Sequence, residues 1–258
     1  MNTTSNLVLT FNNHKIRIIR LDQVDSTNDY AKKLLSNPFG EEDILVFSSN
    51  QTSGRGNGGN SWESEAGKNL TFSLILRPNF LEPVNQFQLN KVIALAIRDF
   101  VYENAKNFSI KIKWPNDIYV NDKKIAGTLI EHSIMGNQLE NSIVGIGINI
   151  NQEIFKSDAP NPVSLLNLTN KTYDLEKMLQ QLVNVIYRCY QALKENKTEQ
   201  IDKDYLNHLY CLNELKPYNF QGNKIMASIQ SVNHFGQLQL ITENNKLISC
   251  AFKEIEFL

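Results

Sequence analysis

A glycine-rich segment that leads into a strand-like stretch, and not into a helix, is the feature that most limits how this chain can fold. The segment "QTSGRGNGGNSW" (51–62) contains the G-x-G-x-x-G spacing of a dinucleotide-binding loop and most of a P-loop. A P-loop needs a lysine where Asn60 stands. A dinucleotide-binding loop must open a helix whose N-terminus faces the phosphates, but the residues after Trp62 lead to a predicted strand at 69–76. We therefore expect neither a P-loop nor a Rossmann domain.

Two uses of this segment are open. Asn57-Gly58 is a strong signal for a type I′ turn, so a plain hairpin is one alternative. A hairpin has no use for the fixed cation of Arg55 or the large indole of Trp62. A loop that wraps an anionic ligand needs a fixed cation and glycine N–H groups that can turn inward. This second alternative predicts a site for phosphate or carboxylate, in which Trp62 either stacks on a base or packs in the core.

The rest of the pattern predicts an α+β protein. Apolar runs rich in β-branched residues predict strands at 14–21, 42–48, 69–76, 110–114, 124–132 and 142–150. Apolar residues at helical spacing predict a helix from about Asp29 capped by Ser26 or Thr27, a helix at 86–104, one capped by Asp174, and one at 198–210. From Leu215 onwards, alternation with period two predicts short strands. We expect one larger domain, residues 1–212, and a small β module, residues 213–258.

Composition and charge exclude several classes of protein. The formal net charge of −1 provides no general attraction to nucleic acid. Cys189, Cys211 and Cys250 are far apart and the four histidines have no ligand spacing, so we expect a reducing compartment and no zinc site. No apolar run is long enough to span a bilayer, and the first residues do not resemble a signal peptide. We expect a cytoplasmic protein without a DNA or membrane partner.

A second stretch, "KWPNDIYVNDKKIAGTLIE" (113–131), places polar side chains at the end of a predicted strand. Pro115 ends the strand, and Asn116 and Asp117 follow where they can face a cleft, although they can instead cap the turn. Lys124 begins an otherwise apolar face, which indicates a functional cation, with a solvated hairpin tip as the alternative. Strict alternation puts these residues on that face: Lys124, Ala126, Thr128 and Ile130.

A third stretch, "GIGININ" (145–151), is a predicted strand whose glycines let a ligand approach the backbone, with Asn149 on the face of Gly145 and Gly147. Taken together with the stretches described above, it makes the sequence resemble the biotin–protein ligases over nearly the whole chain. Each motif is weak alone, but together they are specific. Their order and spacing are those of that family: "DSTND" at 25–29, "QTSGRGNGGNSW" at 51–62, "KWPND…KKIAG" at 113–127 and "GIGININ" at 145–151.

The resemblance implies a fold and a reaction. The fold is α+β, with a mixed sheet and flanking helices like those of class II aminoacyl-tRNA synthetases, followed by a small C-terminal SH3-like β-barrel. The reaction activates biotin with ATP to biotinyl-adenylate and then transfers biotin to a lysine of a biotin carboxyl carrier domain. The resemblance thus implies ATP and biotin as substrates, Mg²⁺ with the ATP, and a biotin-dependent carboxylase as partner. It leaves open whether the protein is a homodimer.

The same resemblance implies roles for individual residues. Lys124 and Arg55 would supply positive charge to the reaction, and Asp117 would lie near the acceptor lysine. Thr27 has a second alternative as a helix cap. The residues implied to contact biotin are Ser26, Thr27, Asn28, Gln51, Arg55, Gly56, Asn57, Lys124 and Gly127. The residues implied to contact ATP or the adenylate are Gly54, Arg55, Gly56, Asn57, Trp62, Asn116, Lys124 and Asn149.

The sequence departs from the family at one position. Many relatives carry a second arginine where Asn57 stands, so we expect weaker retention of the adenylate.

The sequence also has three rival functional interpretations. A lipoate or octanoate ligase of the same fold is the nearest rival, but the glycine-rich segment and "KWPND" favour biotin. A DNA-binding repressor needs a helix-turn-helix, for which the 25 residues before Ser26 have no room. A non-catalytic biotin-binding protein would have no need of Lys124, Arg55 and Asp117.

Overall fold

A large mixed sheet is the centre of the fold. The computed structural model describes residues 3–11, 14–36, 40, 42–157 and 159–258. The strands of the sheet are β1 (Thr3–Phe11), β2 (His14–Leu21), β3 (Asp43–Ser48), β4 (Leu70–Leu76), β5 (Ile110–Lys113), β6 (Asp117–Val120), β7 (Lys123–Met135) and β8 (Gln138–Ile148). Their order in the sheet is β1-β2-β3-β4-β8-β7-β6-β5. Only β2 and β3 pair in parallel among these described strands. The predicted mixed sheet is confirmed.

Helices cover both faces of this sheet. Successive side chains of a strand point to opposite faces, so a strand with apolar residues at every position needs packing partners on both sides. On β3, Ile44 and Val46 pack with α1, while Leu45 and Phe47 belong to the larger core under the long helices. The helices are α1 (Thr27–Leu35), α2 (Phe87–Asn104), α3 (Leu165–Thr169), α4 (Leu175–Lys194) and α5 (Thr198–Asn207). Among these described helices, none combines the length and the apolar character needed to cross a membrane.

The helices agree with the predictions apart from their ends. Ser26 caps α1, since its hydroxyl accepts a hydrogen bond from the Asp29 N–H, but the helix begins at Thr27 and not near Asp29. Asp174 caps α4 as predicted, by accepting from two backbone N–H groups of the first turn. The helix predicted at 198–210 ends at Asn207. Strand β1, the short strand β6 and the one-turn helix α3 were not predicted.

The predicted strict alternation along β7 is wrong. Tyr119 pairs with Lys124, whereas the residue before Tyr119 pairs with Ala126, so Ile125 is an extra residue in β7. This β-bulge turns Lys124 to the same side as Gly127, where a Cβ would lie 3.3 Å from the Lys124 ammonium nitrogen. Ala126 is fully buried in the core instead. The bulge therefore brings together two residues that strict alternation would separate.

A second sheet, all antiparallel, forms the C-terminal β module, residues 215–257. Its strands are β9 (Leu215–Phe220), β10 (Asn223–Val232), β11 (Leu238–Thr242), β12 (Leu247–Cys250) and β13 (Ile255–Phe257), in the sheet order β12-β11-β10-β9-β13. Their inward side chains, such as Tyr218, Ile229 and Leu240, are fully buried. The prediction of short strands from Leu215 onwards is confirmed.

The C-terminal β module joins the large sheet through Gly236, at the turn between β10 and β11. The Trp114 indole N–H donates to the Gly236 carbonyl oxygen at 2.9 Å, and this bond is buried. On its other side, Gly236 lies so close to Phe87 of α2 that an added Cβ would come within 2.4 Å of the Phe87 ring. Gly236 also has a φ of +84°, which favours glycine. The turn therefore fits tightly between Trp114, which follows β5, and Phe87 of α2.

The substitution Gly236→Ala is expected to lower the free energy of unfolding more than Gly222→Ala does. Both glycines have nearly the same positive φ, at +84° and +83°, so the backbone strain is matched. Only Gly236 has a neighbour in the way, because nothing lies within 4 Å of a Cβ on Gly222. Overpacking of this kind costs about 1–3 kcal/mol, so we expect a difference of that order in urea unfolding. Equal losses of unfolding free energy in the two variants would contradict the close packing of Gly236 against Phe87.

Candidate active site

A single cavity of about 770 Å³ brings most of the predicted site residues together. It lies between the large sheet, the glycine-rich loop and the C-terminal β module. The predicted residues that line it are Ser26, Thr27, Asn28, Gln51, Arg55, Gly56, Asn57, Trp62, Asn116, Asp117, Lys124 and Gly127. Gly54 and Asn149 are not among its lining residues. All four sequence motifs therefore contribute to one site, and the fourth contributes through Gly145 and Gly147.

The glycine-rich loop is both a small hairpin and a wall of the cavity. Its two arms are joined by hydrogen bonds from the Gly56 N–H to the Asn60 carbonyl (2.7 Å) and from the Trp62 N–H to the Gly54 carbonyl (2.8 Å). The tip is a 3₁₀ turn in which Gly58 has a φ of +71° but Asn57 does not have a positive φ. The hairpin alternative is therefore correct in outline, and the predicted type I′ turn is wrong. The two alternatives for this segment are compatible.

The Trp62 indole packs against Gly147 of β8, where the strand has no side chain. A Cβ on Gly147 would lie 2.4 Å from the Trp62 ring, so only glycine leaves space for the indole. The ring also lies 5.8 Å from the Lys124 ammonium, measured to its centroid. The indole N–H is buried and has no hydrogen-bond partner among the described residues. Trp62 is thus a packed wall of the cavity with one unused donor, and its predicted contact with adenine stays a prediction.

Hydrogen-bonding side chains at the start of α1 form the floor of the cavity. The N–H and the hydroxyl of Thr27 both donate to the Gln51 side-chain oxygen, at 2.8 and 3.1 Å. The Ser73 hydroxyl lies 2.8 Å from the Thr27 hydroxyl and donates to the Asn28 side-chain oxygen at 2.6 Å. Thr27 therefore faces the cavity network, and Ser26 takes the role of helix cap that was one alternative for both. These groups are held in place by hydrogen bonds to one another.

The Arg55 guanidinium is held by two carboxylates at the edge of this floor. It lies 2.5 Å from Asp29 and 3.5 Å from Glu131. Glu131 also accepts from Asn28 at 3.0 Å and from Lys32 at 2.7 Å. Burial raises the pKa of Glu131, but the bonds from Lys32 and Asn28 and the charges of Lys32 and Arg55 outweigh this and lower it. Glu131 is therefore an anion, and a ligand that binds Arg55 must compete with it.

Lys124 and Asp117 form an ion pair across the bulge, with 2.6 Å between the ammonium and the carboxylate. Lys124 is half-buried, so the alternative of a solvated hairpin tip is wrong. Asp117 bonds to Lys124, and Asn116 donates to the Thr128 carbonyl at 3.0 Å, so neither has the predicted alternative role of a turn cap. Both side chains of the ion pair line the cavity. The pair places a cation and a possible proton acceptor side by side.

Asn149 and Gly54 lie outside the cavity wall. The Asn149 side chain donates to the Val163 carbonyl at 3.1 Å, its backbone N–H donates to the Ile125 carbonyl, and it is almost fully buried. β8 ends at Ile148, so the strand predicted at 142–150 ends two residues earlier than expected, before Asn149. Gly54 is in the hairpin arm, where a Cβ would lie 2.6 Å from the Trp62 carbonyl oxygen. The predicted contacts of Gly54 and Asn149 with ATP or the adenylate stay predictions.

Several residues of the site had not been predicted. Ser73 and Glu131 connect the floor, and Lys113 and Trp114 line the cavity within the "KWPND" motif. Burial lowers the pKa of the Lys113 ammonium, and the charge of Asp117 only partly offsets this. Another group comes from the C-terminal β module: Phe252, Lys253, Ile255, Glu256 and Phe257. Their sequence carries no motif, because only the packing of the two sheets brings them to the cavity.

Comparisons with known proteins identify the family. The model of the biotin/lipoate A/B protein ligase family matches residues 21–149. The biotin–[acetyl-CoA-carboxylase] ligase of Paracoccus denitrificans is 34% identical over 173 residues, which are 65% of this chain and 70% of that protein. The bifunctional ligase/repressor BirA of Bacillus spizizenii is 38% identical over 137 residues, which are 53% of this chain but only 41% of BirA.

A solved structure agrees with the fold over nearly the whole chain. The biotin protein ligase from Aquifex aeolicus, in complex with biotin and ATP, has a TM-score of 0.77 and 28% sequence identity. The match covers 93% of this chain and 98% of that one, so it includes the large sheet and the C-terminal β module. The predicted α+β fold is confirmed. With the family's motifs gathered around one cavity, the chain belongs to the biotin/lipoate A/B protein ligase family.

Proposed function

We propose that this protein activates biotin with ATP and transfers the biotin to a lysine of a biotin carboxyl carrier domain. The observation that carries the proposal is one cavity in which the cations Arg55 and Lys124 lie beside a floor of fixed hydrogen-bonding groups. Such a site suits a small polar ring with an acidic tail, together with a nucleotide. The named activities of the relatives, and the biotin and ATP of the Aquifex complex, support the same reaction.

In the first step, a biotin carboxylate oxygen attacks the α-phosphorus of ATP, and the bond to pyrophosphate breaks. Two anions must meet, so the main task of the protein is to supply positive charge that is already in place. Lys124 is held by Asp117, and Arg55 is held by Asp29 and Glu131. Neither cation needs to be ordered at the moment of reaction. No nucleophile from the protein is required.

The floor would recognise the ureido ring of biotin. The ring offers two N–H donors and one carbonyl acceptor, and Thr27, Asn28 and Gln51 offer matching groups that are already fixed by one another. A buried partner that is left unpaired costs about 1–3 kcal/mol, so a ring without these groups would bind less tightly. This difference favours biotin over lipoate as the acid that is activated.

In the second step, the acceptor amine attacks the carbonyl carbon of the mixed anhydride, and the bond to AMP breaks. The amine must lose a proton, and Asp117 is the carboxylate of the cavity that stands beside the catalytic cation. The glycine-rich loop would exclude water from the adenylate until the acceptor arrives. Weaker retention of the adenylate because of Asn57 stays a prediction.

The two domains, the metal ion and the partner protein each have a place in this reaction. Residues 1–212 would form the catalytic domain and residues 213–258 an SH3-like module. Mg²⁺ would enter with the ATP phosphates, which is the usual mode for this ion; the described residues contain no group of three or more His, Cys, Asp or Glu side chains placed to hold a metal. The partner would be a carrier domain of a biotin-dependent carboxylase, in the cytoplasm.

Biotinylation of a purified carrier domain tests the function. The protein is incubated with ATP, Mg²⁺, biotin and the carrier domain, and the mass of the carrier is measured. We expect one biotinyl group on its acceptor lysine, and only when ATP and biotin are both present. The same reaction with lipoate in place of biotin is the control. Modification by lipoate but not by biotin would contradict the proposal and would support the lipoate ligase.

A further inference from the structure

The cations that line the cavity differ in how their charge is balanced. Arg55 faces two carboxylates, and Lys124 is paired with Asp117. Lys113 packs on aromatic rings, and burial lowers the pKa of its ammonium. Lys253 of the C-terminal β module also lines the cavity, and none of the described carboxylates forms an ion pair with it. Its positive charge is therefore the most available one for an anionic ligand.

The Lys253 ammonium lies on the tip of the glycine-rich loop. It donates to the Gly58 carbonyl oxygen at 3.1 Å, and a Cβ on Gly58 would come within 2.6 Å of the lysine side chain. The neighbouring Phe252 also lines the cavity and packs against Trp114, with 6.2 Å between the ring centroids. The turn 251–254 is closed by hydrogen bonds between its first and last residues. The C-terminal β module thus holds an ammonium against the tip of the glycine-rich loop, at the edge of the cavity.

The backbone of Lys253 is unusual for a lysine. Its φ is +72°, in the left-handed region that glycine and asparagine adopt at lower cost. Most other non-glycine residues with a positive φ in the described chain are asparagines, for example Asn213 and Asn245. Residues held in such conformations concentrate at functional sites. A lysine here is therefore better explained by what its side chain does than by the needs of the turn.

We propose that Lys253 is a nucleotide-binding residue of the active site, whose ammonium binds the phosphate chain of ATP under the loop tip. The inference rests on the proposed function. A phosphate oxygen accepts a charge-assisted hydrogen bond, which is stronger than the bond to the neutral Gly58 carbonyl. The ligand would then hold the loop and the C-terminal β module together over the departing pyrophosphate. This gives the module a direct part in the first step of the reaction.

Steady-state kinetics of biotin-dependent ATP–pyrophosphate exchange test the inference. For Lys253→Ala and Lys253→Gly, we expect the KM for ATP to rise about tenfold, as for the loss of one charge-assisted hydrogen bond, while the KM for biotin stays the same. Lys253→Arg is expected to keep most of the ATP affinity. Lys246→Ala, which changes an exposed lysine of the same module away from the cavity, is the matched control. Because glycine suits the positive φ, the Tm of Lys253→Gly should not fall.

Three results would overturn the inference. The first is an unchanged KM for ATP in both Lys253→Ala and Lys253→Gly. The second is an equal rise in the KM values for ATP and biotin together with faster proteolysis of residues 54–60, which would mean that the lysine only fastens the loop. The third is a native protein without exchange activity, which would also overturn the proposed function and is seen before any variant is tested. An ATP-specific rise that Lys253→Arg reverses would support it.

Discussion

Replacement of Lys124 by alanine is expected to slow biotin-dependent ATP–pyrophosphate exchange by roughly 100- to 1000-fold, the usual loss when one preorganised charge-stabilising group is removed. The effect has two physical parts. The site loses the positive charge that faces the reacting anions, and Asp117 is left without the cation 2.6 Å away. An unopposed carboxylate in the cavity then repels both the biotin carboxylate and the phosphates. We expect the larger change in kcat, because the charge is needed most in the transition state.

The fold should tolerate this substitution. The backbone of Lys124 is held by its N–H bond to the Asn161 carbonyl and by the bond that its own carbonyl accepts from the Val163 N–H, both at 2.9 Å. Neither bond depends on the side chain. Lys123→Ala is the matched control, because Lys123 is the adjacent, exposed lysine and does not line the cavity. A folded Lys124→Ala protein that exchanges as fast as Lys123→Ala would contradict the role of Lys124.

The substitution Gly145→Ala is expected to weaken biotin binding by at least about tenfold, although it adds only one methyl group. The new Cβ would lie 2.2 Å from the Asn28 side-chain oxygen. Gly145 pairs with Ser73 on one side and Leu129 on the other, so the strand cannot move away. Asn28 must therefore give up its bonds to Ser73, Leu129 and Glu131. Isothermal titration with biotin measures the loss.

A double variant separates the loss of binding from a loss of stability. Asn28→Ala combined with Gly145→Ala removes the side chain that the new methyl group meets. We expect the double variant to unfold at nearly the native urea concentration but to bind biotin as weakly as Gly145→Ala, because the floor still lacks the Asn28 amide. Native affinity in either variant would show that Asn28 does not contribute to the biotin site.

Sequence patterns were sufficient for the elements that are long or uniformly apolar. α2 is buried on most sides and α4 has one apolar stripe, so both were visible from residue spacing alone. β6, with four residues, is too short for a period to show. The bulge at Ile125 could not be predicted, because it depends on the register between β6 and β7. Local periodicity carries no information on register.

The residues of the candidate site also fall into those that the sequence could predict and those that it could not. Residues within the family's motifs, such as Arg55 and Lys124, could be assigned because the motifs bring the family's geometry with them. Gly54 and Asn149 do not line the cavity, so their predicted contacts with the nucleotide stay predictions. Glu131 and Lys253 could not be assigned, since their places at the site depend on contacts with residues distant in the chain. Ion pairs and contacts between sheets leave no local pattern in a single sequence.

The two strand glycines of β8 have a consequence for redesign of the protein. Gly145 and Gly147 contribute no side chains, and the depth of the cavity above them is set by Asn28 and Trp62, which rest directly on the strand. Shortening either side chain would therefore open new space without any change in the sheet. Variants intended to accept bulkier acids, such as labelled vitamin analogues, should be built at these two covering positions.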